Sequence, residues 1–222
     1  LVVHRGPQRV LDGVSETLCQ GEVVAVMGEN GSGKTTLIEA FAGLLPLRSG
    51  DVIWEEYGNS IVVRDSKGRR NQPPPMGLTL QKGGVCGEET IIERISVSLS
   101  VAGIEHSDGQ IMELLSHWGL EHRANDRLAH LSGGLRRRVA ILGGLAPAAL
   151  SNSPLVVLLD EPSEGLDDSA KDILRSWIRT LSSRNHAIMM ATHDKDLSSS
   201  ADRILFLKNG SIEEQTGKSL GQ

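Results

Sequence analysis

Cysteine is nearly absent from this sequence: Cys19 and Cys86 are the only two among 222 residues, and neither sits in a CxxC or Cys/His ligand spacing. That argues against both a disulfide framework and a zinc site, and for a reducing, cytoplasmic compartment. Long apolar runs are missing too. No stretch approaches the roughly 18–20 uninterrupted apolar residues of a membrane span, and no basic-plus-apolar leader directs the chain to secretion. Basic charge is not in excess, since 23 Lys and Arg face 28 Asp and Glu for a net charge of −5, so no nucleic-acid partner is expected. There is no repeat of 20–50 residues. The first residue is Leu1 rather than methionine, inside strand-like sequence, so some preceding residues are expected. What remains is a chain with 39% hydrophobic and 23% charged residues, ordinary for a globular protein with one sizeable core and room for a smaller subdomain.

Strand and helix patterns alternate along it. Val2–Val3, Val10–Leu18 and Val23–Met27 read as β-segments, and a helix is expected from Lys34 to about Ala42. Val23–Met27 lacks polar alternation, which suits a strand buried on both faces of a parallel sheet. Val52–Trp54 and Ile61–Val63 suggest a hairpin, and the proline-bearing stretch from Arg64 to Pro75 reads as loop. Asp108 is a candidate N-cap for a helix carrying Ile111, Leu114, Leu115 and Trp118 and ended by Gly119. A second stripe runs through Ala170, Ile173, Leu174, Trp177, Ile178 and Leu181. Leu155–Leu159 and Ala187–Ala191 are further apolar strands, and Asn209-Gly210 signals a hairpin between Arg203–Leu207 and Ser211–Glu213. The alternation implies an α/β fold around a mostly parallel sheet.

Two segments carry chemistry. Gly28-Glu29-Asn30-Gly31-Ser32-Gly33-Lys34-Thr35 matches GxxxxGK[ST] in full and lies between a buried strand and a helix, with Thr36 following. Glycines let successive N–H groups turn inward to form an anion cradle, and the helix adds its positive N-terminus. Lys34 can then reach the β and γ phosphates of a nucleotide, and the Thr35 hydroxyl can ligate Mg²⁺. A ligand-free glycine turn is the competing reading, and the joint presence of strand, loop, Lys-Thr pair and helix outweighs it. Leu155-Val156-Val157-Leu158-Leu159-Asp160-Glu161 is an apolar strand ending in two acids, at the sheet edge where ligands of open α/β folds bind. Asp160 suits an Mg²⁺ contact and Glu161 the polarisation of an attacking water, because phosphoryl transfer needs positioning and charge balance. Alone, Asp-Glu-Pro could be a strand-ending turn; beside the phosphate loop it reads as functional.

Leu131-Ser132-Gly133-Gly134, ahead of a helix through Arg136–Leu142, gives these motifs a family context. The sequence resembles the ABC ATPases, whose LSGGQ signature lies between the phosphate loop and the acidic strand. Gln81 falls at the Q-loop glutamine, Ser163-Glu164-Gly165-Leu166-Asp167 is similar to the D-loop, and Thr192-His193-Asp194 to the switch histidine. The resemblance covers essentially the whole chain. It implies a P-loop NTPase core, an antiparallel β-subdomain and a helical subdomain at about 82–150, within one ATPase domain over 1–222. It also implies head-to-tail dimers of a second, identical or different ATPase subunit, in which each ATP lies on one subunit's phosphate loop and faces the other's Ser132 and Gly134. Gln81 would contact Mg²⁺ and the attacking water, His193 would steady the γ-phosphate, and Asp167 would help link the two active sites.

Departures from the family pattern accompany this. Leu135 replaces the signature glutamine, Arg5 with His4 beside it takes the adenine-stacking position, and Gly143 stands where many relatives carry arginine. Residues 148–152 look like a small insertion, and Arg136–Arg138 read as a solvated helix face. A guanidinium can stack on adenine. Lys67, Arg69 and Arg70 read as loop solubility, and the histidines other than His193 as surface or packed residues. Lacking a membrane span and a long C-terminal extension, the chain is expected to be the ATPase subunit of a transporter. It would work with separate integral membrane subunits, peripheral on the inner face of the cell membrane, with a faint similarity to exporters of the haem type. The alternatives are a non-transport ABC ATPase of translation, repair or iron–sulfur assembly, and a binding module that no longer hydrolyses. The first lacks its tandem cassettes or insertions here, and intact Glu161 and His193 oppose the second.

Overall fold

A computed structural model describes residues 1–56, 58–81 and 87–217; Cys86 and the start of the expected 82–150 helical region lie outside them. The strands are β1 Val3–Arg5, β2 Gln8–Leu11, β3 Val23–Met27, β4 Asp51–Glu56, β5 Asn59–Asp65, β6 Met76–Thr79, β7 Val156–Asp160, β8 Ala187–Ala191, β9 Arg203–Lys208 and β10 Ser211–Gly217. The helices are α1 Lys34–Phe41, α2 Ile91–Val101, α3 Asp108–His117, α4 Gly133–Leu150, α5 Asp168–Ser183 and the single turn α6 Lys195–Ser198.

Six strands form one sheet in the order β10-β9-β3-β8-β7-β6. All its pairings are parallel except that of β10 with β9. Period-two side-chain alternation divides the core. Val23, Ala25, Val157, Leu159, Ile188 and Met190 face α2–α5, whereas Val24, Val26, Leu158, Met189 and Ala191 face α1 and the two small antiparallel pairs β1–β2 and β4–β5. The expected parallel α/β architecture, the hairpins and the doubly buried Val23–Met27 are therefore present. The β9–β10 turn has both Asn209 and Gly210 at positive φ, as a two-residue hairpin requires.

Local chemistry moved several boundaries. The segment expected as a strand over Val10–Leu18 leaves the ladder after Leu11, where Gly13 at φ 72 turns the chain and the Asp12 N–H donates to Gly210 O. Ser107, not Asp108, caps α3: its hydroxyl accepts from Gln110 N and the Gln110 side chain returns to Ser107 N, a reciprocal box that Asp108 cannot form. Arg64 and Asp65, expected in loop, end β5. Of residues 148–152, expected as a small insertion, the first three are helical, because α4 continues through Pro147 to Leu150. Its last carbonyls are met from outside by the Arg184 guanidinium, which donates to Ala149 O and Ser151 O.

Helix α4 packs on β6 at backbone distance. A methyl on Gly77 would run into the Gly144 carbonyl, and one on Gly144 into the Thr79 hydroxyl. Thr79 Oγ1 also donates to Ala140 O at 3.3 Å, so α4 descends β6 in a fixed antiparallel sense.

His186, just before β8, is buried and accepts the Leu155 N–H at Nδ1 across 2.9 Å. Burial, assisted by the Arg184 charge, lowers its pKa from the ordinary 6.5. The unfolded chain therefore binds this proton more tightly than the folded one, and stability should be lost as pH falls below about 6.5. Thermal unfolding followed between pH 7.5 and pH 5.5 tests this: His186→Gln, which keeps an acceptor, should flatten the profile, and an unchanged slope would refute the assignment.

Candidate active site at the carboxyl edge of the sheet

Because β3, β8, β7 and β6 run parallel, their carboxyl ends open on the same edge. The phosphate loop leaves β3, Thr192 and His193 leave β8, Asp160 and Glu161 end β7, and Gln81 follows β6. The sequence-expected residues of the phosphate loop, acidic pair, switch and Q-loop thus converge. In the loop Ser32 N donates to Glu29 O, and Gly33 at φ 110 packs 3.1 Å from Leu11 and Val10 measured to an added methyl, a conformation and closeness that favour glycine. Helix α1 starts without a side-chain cap or first-turn acid. Among the described residues, no hydrogen bond engages the N–H groups of Gly31, Gly33, Lys34, Thr35 or Thr36, which leaves an anion cradle at a helix N-terminus.

Lys34 is buried, and its Nζ donates to Gly28 O at 2.8 Å and Glu29 O at 3.2 Å while lying 3.7 Å from Glu161 Oε1. Glu161 Oε2 in turn accepts from His193 Nδ1 at 2.8 Å and from the His193 N–H at 3.2 Å. The His193 side chain remains 65% exposed. Glu161 sits at φ 48, a left-handed conformation that costs a non-glycine residue about 1–3 kcal/mol. Its N–H donates to Ala191 O, so the neighbouring strand holds it there.

Asp160 is fully buried, and neither carboxyl oxygen has a hydrogen-bond partner among the described residues. Burial raises its pKa, against weaker opposing effects of the nearby Thr35 hydroxyl and Gln81 backbone. An unpaired buried carboxylate next to a threonine hydroxyl is a hard-oxygen set that fits Mg²⁺. Gln81 is turned aside, its Nε2 donating to Glu164 Oε2 at 3.0 Å.

Ser132 and Gly134 are exposed at the start of α4, where the Ser132 hydroxyl accepts from Leu135 N. No hydrogen bond joins them to the phosphate loop among the described residues. Asp167 caps α5 through Ala170 N and pairs with Arg138. Arg5, expected at the base position, pairs with Glu39 of α1.

The family model described as ABC transporter matches residues 11–164. This chain belongs to the ABC transporter family. As a member it binds and hydrolyses ATP with Mg²⁺. It is 35% identical to the lipoprotein-releasing system ATP-binding protein LolD of Psychrobacter arcticus, over 92% of this chain and 90% of that protein. It is equally 35% identical to the macrolide export ATP-binding/permease protein MacB of Psychrobacter cryohalolentis, over 92% of this chain but only 30% of that protein. A solved dimer of the ATP-binding cassette MJ0796 in a post-hydrolysis state with ADP and Pi superposes with a TM-score of 0.81 at 23% identity, over 97% of this chain and 94% of that one. No helix among the described residues is long and apolar enough to cross a membrane.

Two features of this ABC ATPase were missed in the sequence. Glu164, read only as part of the D-loop-like segment, binds the Q-loop glutamine. Arg137 and Arg138, taken with Arg136 for a solvated face, are partly buried: Arg137 lies with its guanidinium on the backbone of the site, and Arg138 pairs with Asp167. A three-arginine run carries no sign of which members turn inward; the rotation of α4 against β6 decides it.

The unpaired Asp160 charge has a stability consequence. Asp160→Asn should raise the stability of the protein in EDTA by about 1–2 kcal/mol, or roughly 2–8 °C in Tm, while abolishing Mg²⁺-dependent nucleotide binding. A melting temperature at or below that of the unmodified protein would contradict the description of Asp160 as unpaired.

Proposed function

We propose that this chain is the motor of an ABC transporter, coupling ATP hydrolysis to substrate movement through integral membrane subunits or segments, from the cytoplasmic face of the membrane. Residues 1–222 would form one ATPase domain, with the helical part at about 82–150 as the subdomain that carries the signature motif. One named relative belongs to a lipoprotein-releasing system and the other to macrolide export, which supports transport over translation, repair or iron–sulfur assembly. One of them joins ATPase and permease in a single protein, so the permease can lie on the same polypeptide or another.

The observation that carries the catalytic reading is the chain of contacts Lys34–Glu161–His193 beside the unpaired Asp160. Lys34 is held by two loop carbonyls and lies within ion-pair distance of Glu161. The phosphates of ATP, cradled by residues 28–36, would draw Lys34 towards the β and γ positions. Glu161 is then released from Lys34 and can accept a hydrogen bond from the attacking water. His193 orients Glu161 through Nδ1 and has its outer edge free for the γ-phosphate. Asp160, Thr35 and Gln81 would hold Mg²⁺, which when bound offsets the negative charge gathering on the phosphates. Gln81 has to leave Glu164 to do so.

Among the described residues, no hydrogen bond joins Ser132 or Gly134 to the phosphate loop of their own subunit. They lie at the open N-terminus of an 18-residue helix, suited to a γ-phosphate presented by a second ATPase subunit, and the dimeric state of the cassette MJ0796 supports that arrangement. The working motor is then a head-to-tail dimer closed by two ATP molecules and reopened once hydrolysis removes their bridging charge.

Glu161→Gln tests the catalytic half: the variant should retain ATP and accumulate as a dimer in MgATP, seen by size-exclusion chromatography with light scattering. A variant that stays monomeric in saturating MgATP would defeat the sandwich. For the transport half, the full protein carrying this chain, tagged and extracted in detergent, should bring down or itself contain a membrane-spanning permease; recovery with soluble partners alone would favour the non-transport reading.

A further inference from the structure

The ladder between β6 and β7 pairs Thr79 with Leu159 and then stops. Beyond it one strand leads to Gln81 and the other to Glu161. Among the described residues, the side chain of Arg137 bridges the two strand ends. Arg137 Nη2 donates to Asp160 O at 2.9 Å and Glu161 O at 2.6 Å, while Nη1 reaches Leu80 O at 3.3 Å and Gln81 O at 3.5 Å. The guanidinium fork takes over where the ladder ends, holding two strand tips by their carbonyls. Its planar, multi-donor geometry suits this, and a lysine could not serve both tips at once.

The arginine is itself firmly based. Gly144 lies against Gly77, Ala140 O accepts from Thr79, and Arg137 follows one turn further toward the sheet edge. Next to it Arg138 pairs with Asp167 and donates to Trp118 O. The helix whose first turn bears Ser132 and Gly134 therefore grips the loop bearing Glu161, Glu164 and Asp167 at two points.

We propose that Arg137 is a positioning residue for hydrolysis: its guanidinium sets the separation of Gln81 from Glu161 and ties that separation to the placement of the signature helix. Resting on the dimer reading above, this means that engagement of the partner's ATP at Ser132 and Gly134 is transmitted through α4 to the same subunit's own water-activating pair. The two sites of a dimer are thereby coupled within each subunit, over the three to five residues between signature and arginine.

The test compares Arg137→Ala, Arg137→Lys and the control Arg136→Ala, whose side chain makes no hydrogen bond among the described residues. Each is assayed for MgATP affinity by fluorescent-nucleotide displacement, for steady-state ATPase rate and for thermal unfolding. Arg137→Ala should bind MgATP within about threefold of the unmodified protein yet lose about 100-fold in kcat, the scale of loss that a misplacement near 1 Å produces. Arg137→Lys should recover only part of that rate, and Arg136→Ala should match the unmodified protein. A folded Arg137→Ala with kcat within about twofold of normal, or a loss confined to nucleotide affinity, overturns the proposal. If Arg137→Ala does not fold, Arg137→Lys decides by the same criteria, and unfolding of both assigns Arg137 to stability alone, which also overturns it. Absence of Mg²⁺-dependent hydrolysis in the unmodified protein would instead defeat the underlying reading of the site.

Discussion

The parallel register of β3, β8, β7 and β6 is the constraint on which this molecule depends. A parallel sheet delivers every carboxyl end to one edge, so four loops distant in sequence meet there without any of them being long. Pairing Val156–Asp160 with Ala187–Ala191, and Val23–Val26 with Ile188–Ala191, places Glu161 beside His193 and Lys34 within ion-pair reach of Glu161. A slip of one residue in either ladder would also exchange the two core faces of the slipped strand, so the packing that stabilises the sheet enforces the geometry of the site.

At that edge the protein carries features that work against its own stability. Among the described residues Asp160 is buried without a hydrogen-bond partner and the first turn of α1 has free N–H groups, while Glu161 is held in a left-handed backbone conformation immediately before Pro162. Residues preceding proline ordinarily take extended backbone, so the arrangement around Glu161 persists only because β8 and Arg137 hold it from two sides. On the proposed function these costs share one explanation: each would leave a charge or donor for magnesium and phosphate. The nearby Lys34–Glu161 pair sets two buried, oppositely charged side chains 3.7 Å apart at the same edge.

Much of this was legible because the chemistry is written in contiguous residues. The phosphate loop, the acidic strand end and the switch histidine each combine a local turn or strand with the side chain that follows, and short-range patterns suffice to read them. Reading failed where two local solutions are nearly equivalent or where orientation matters. Ser107 and Asp108 are both good caps, and only the return hydrogen bond from Gln110 separates them. Val10–Leu18 looks like a strand until Asp12 and Gly13 redirect the chain toward Gly210. Arg137 looks like its neighbours because a run of arginines is the same string whether the second points to water or to protein.

The sequence by itself determined what each motif can do: GxxxxGK[ST] can hold phosphates, two acids after a buried strand can serve a metal and a water, and LSGG can open a helix toward an anion. Only the tertiary structure decided how far apart these groups lie and which of them restrain one another. Distances such as Lys34 to Glu161, and the hold of Arg137 on β6 and β7, follow from strand register and from the rotation of α4 on Gly77 and Gly144. Those are long-range packing relations, set by the whole core, and no local window of residues contains them.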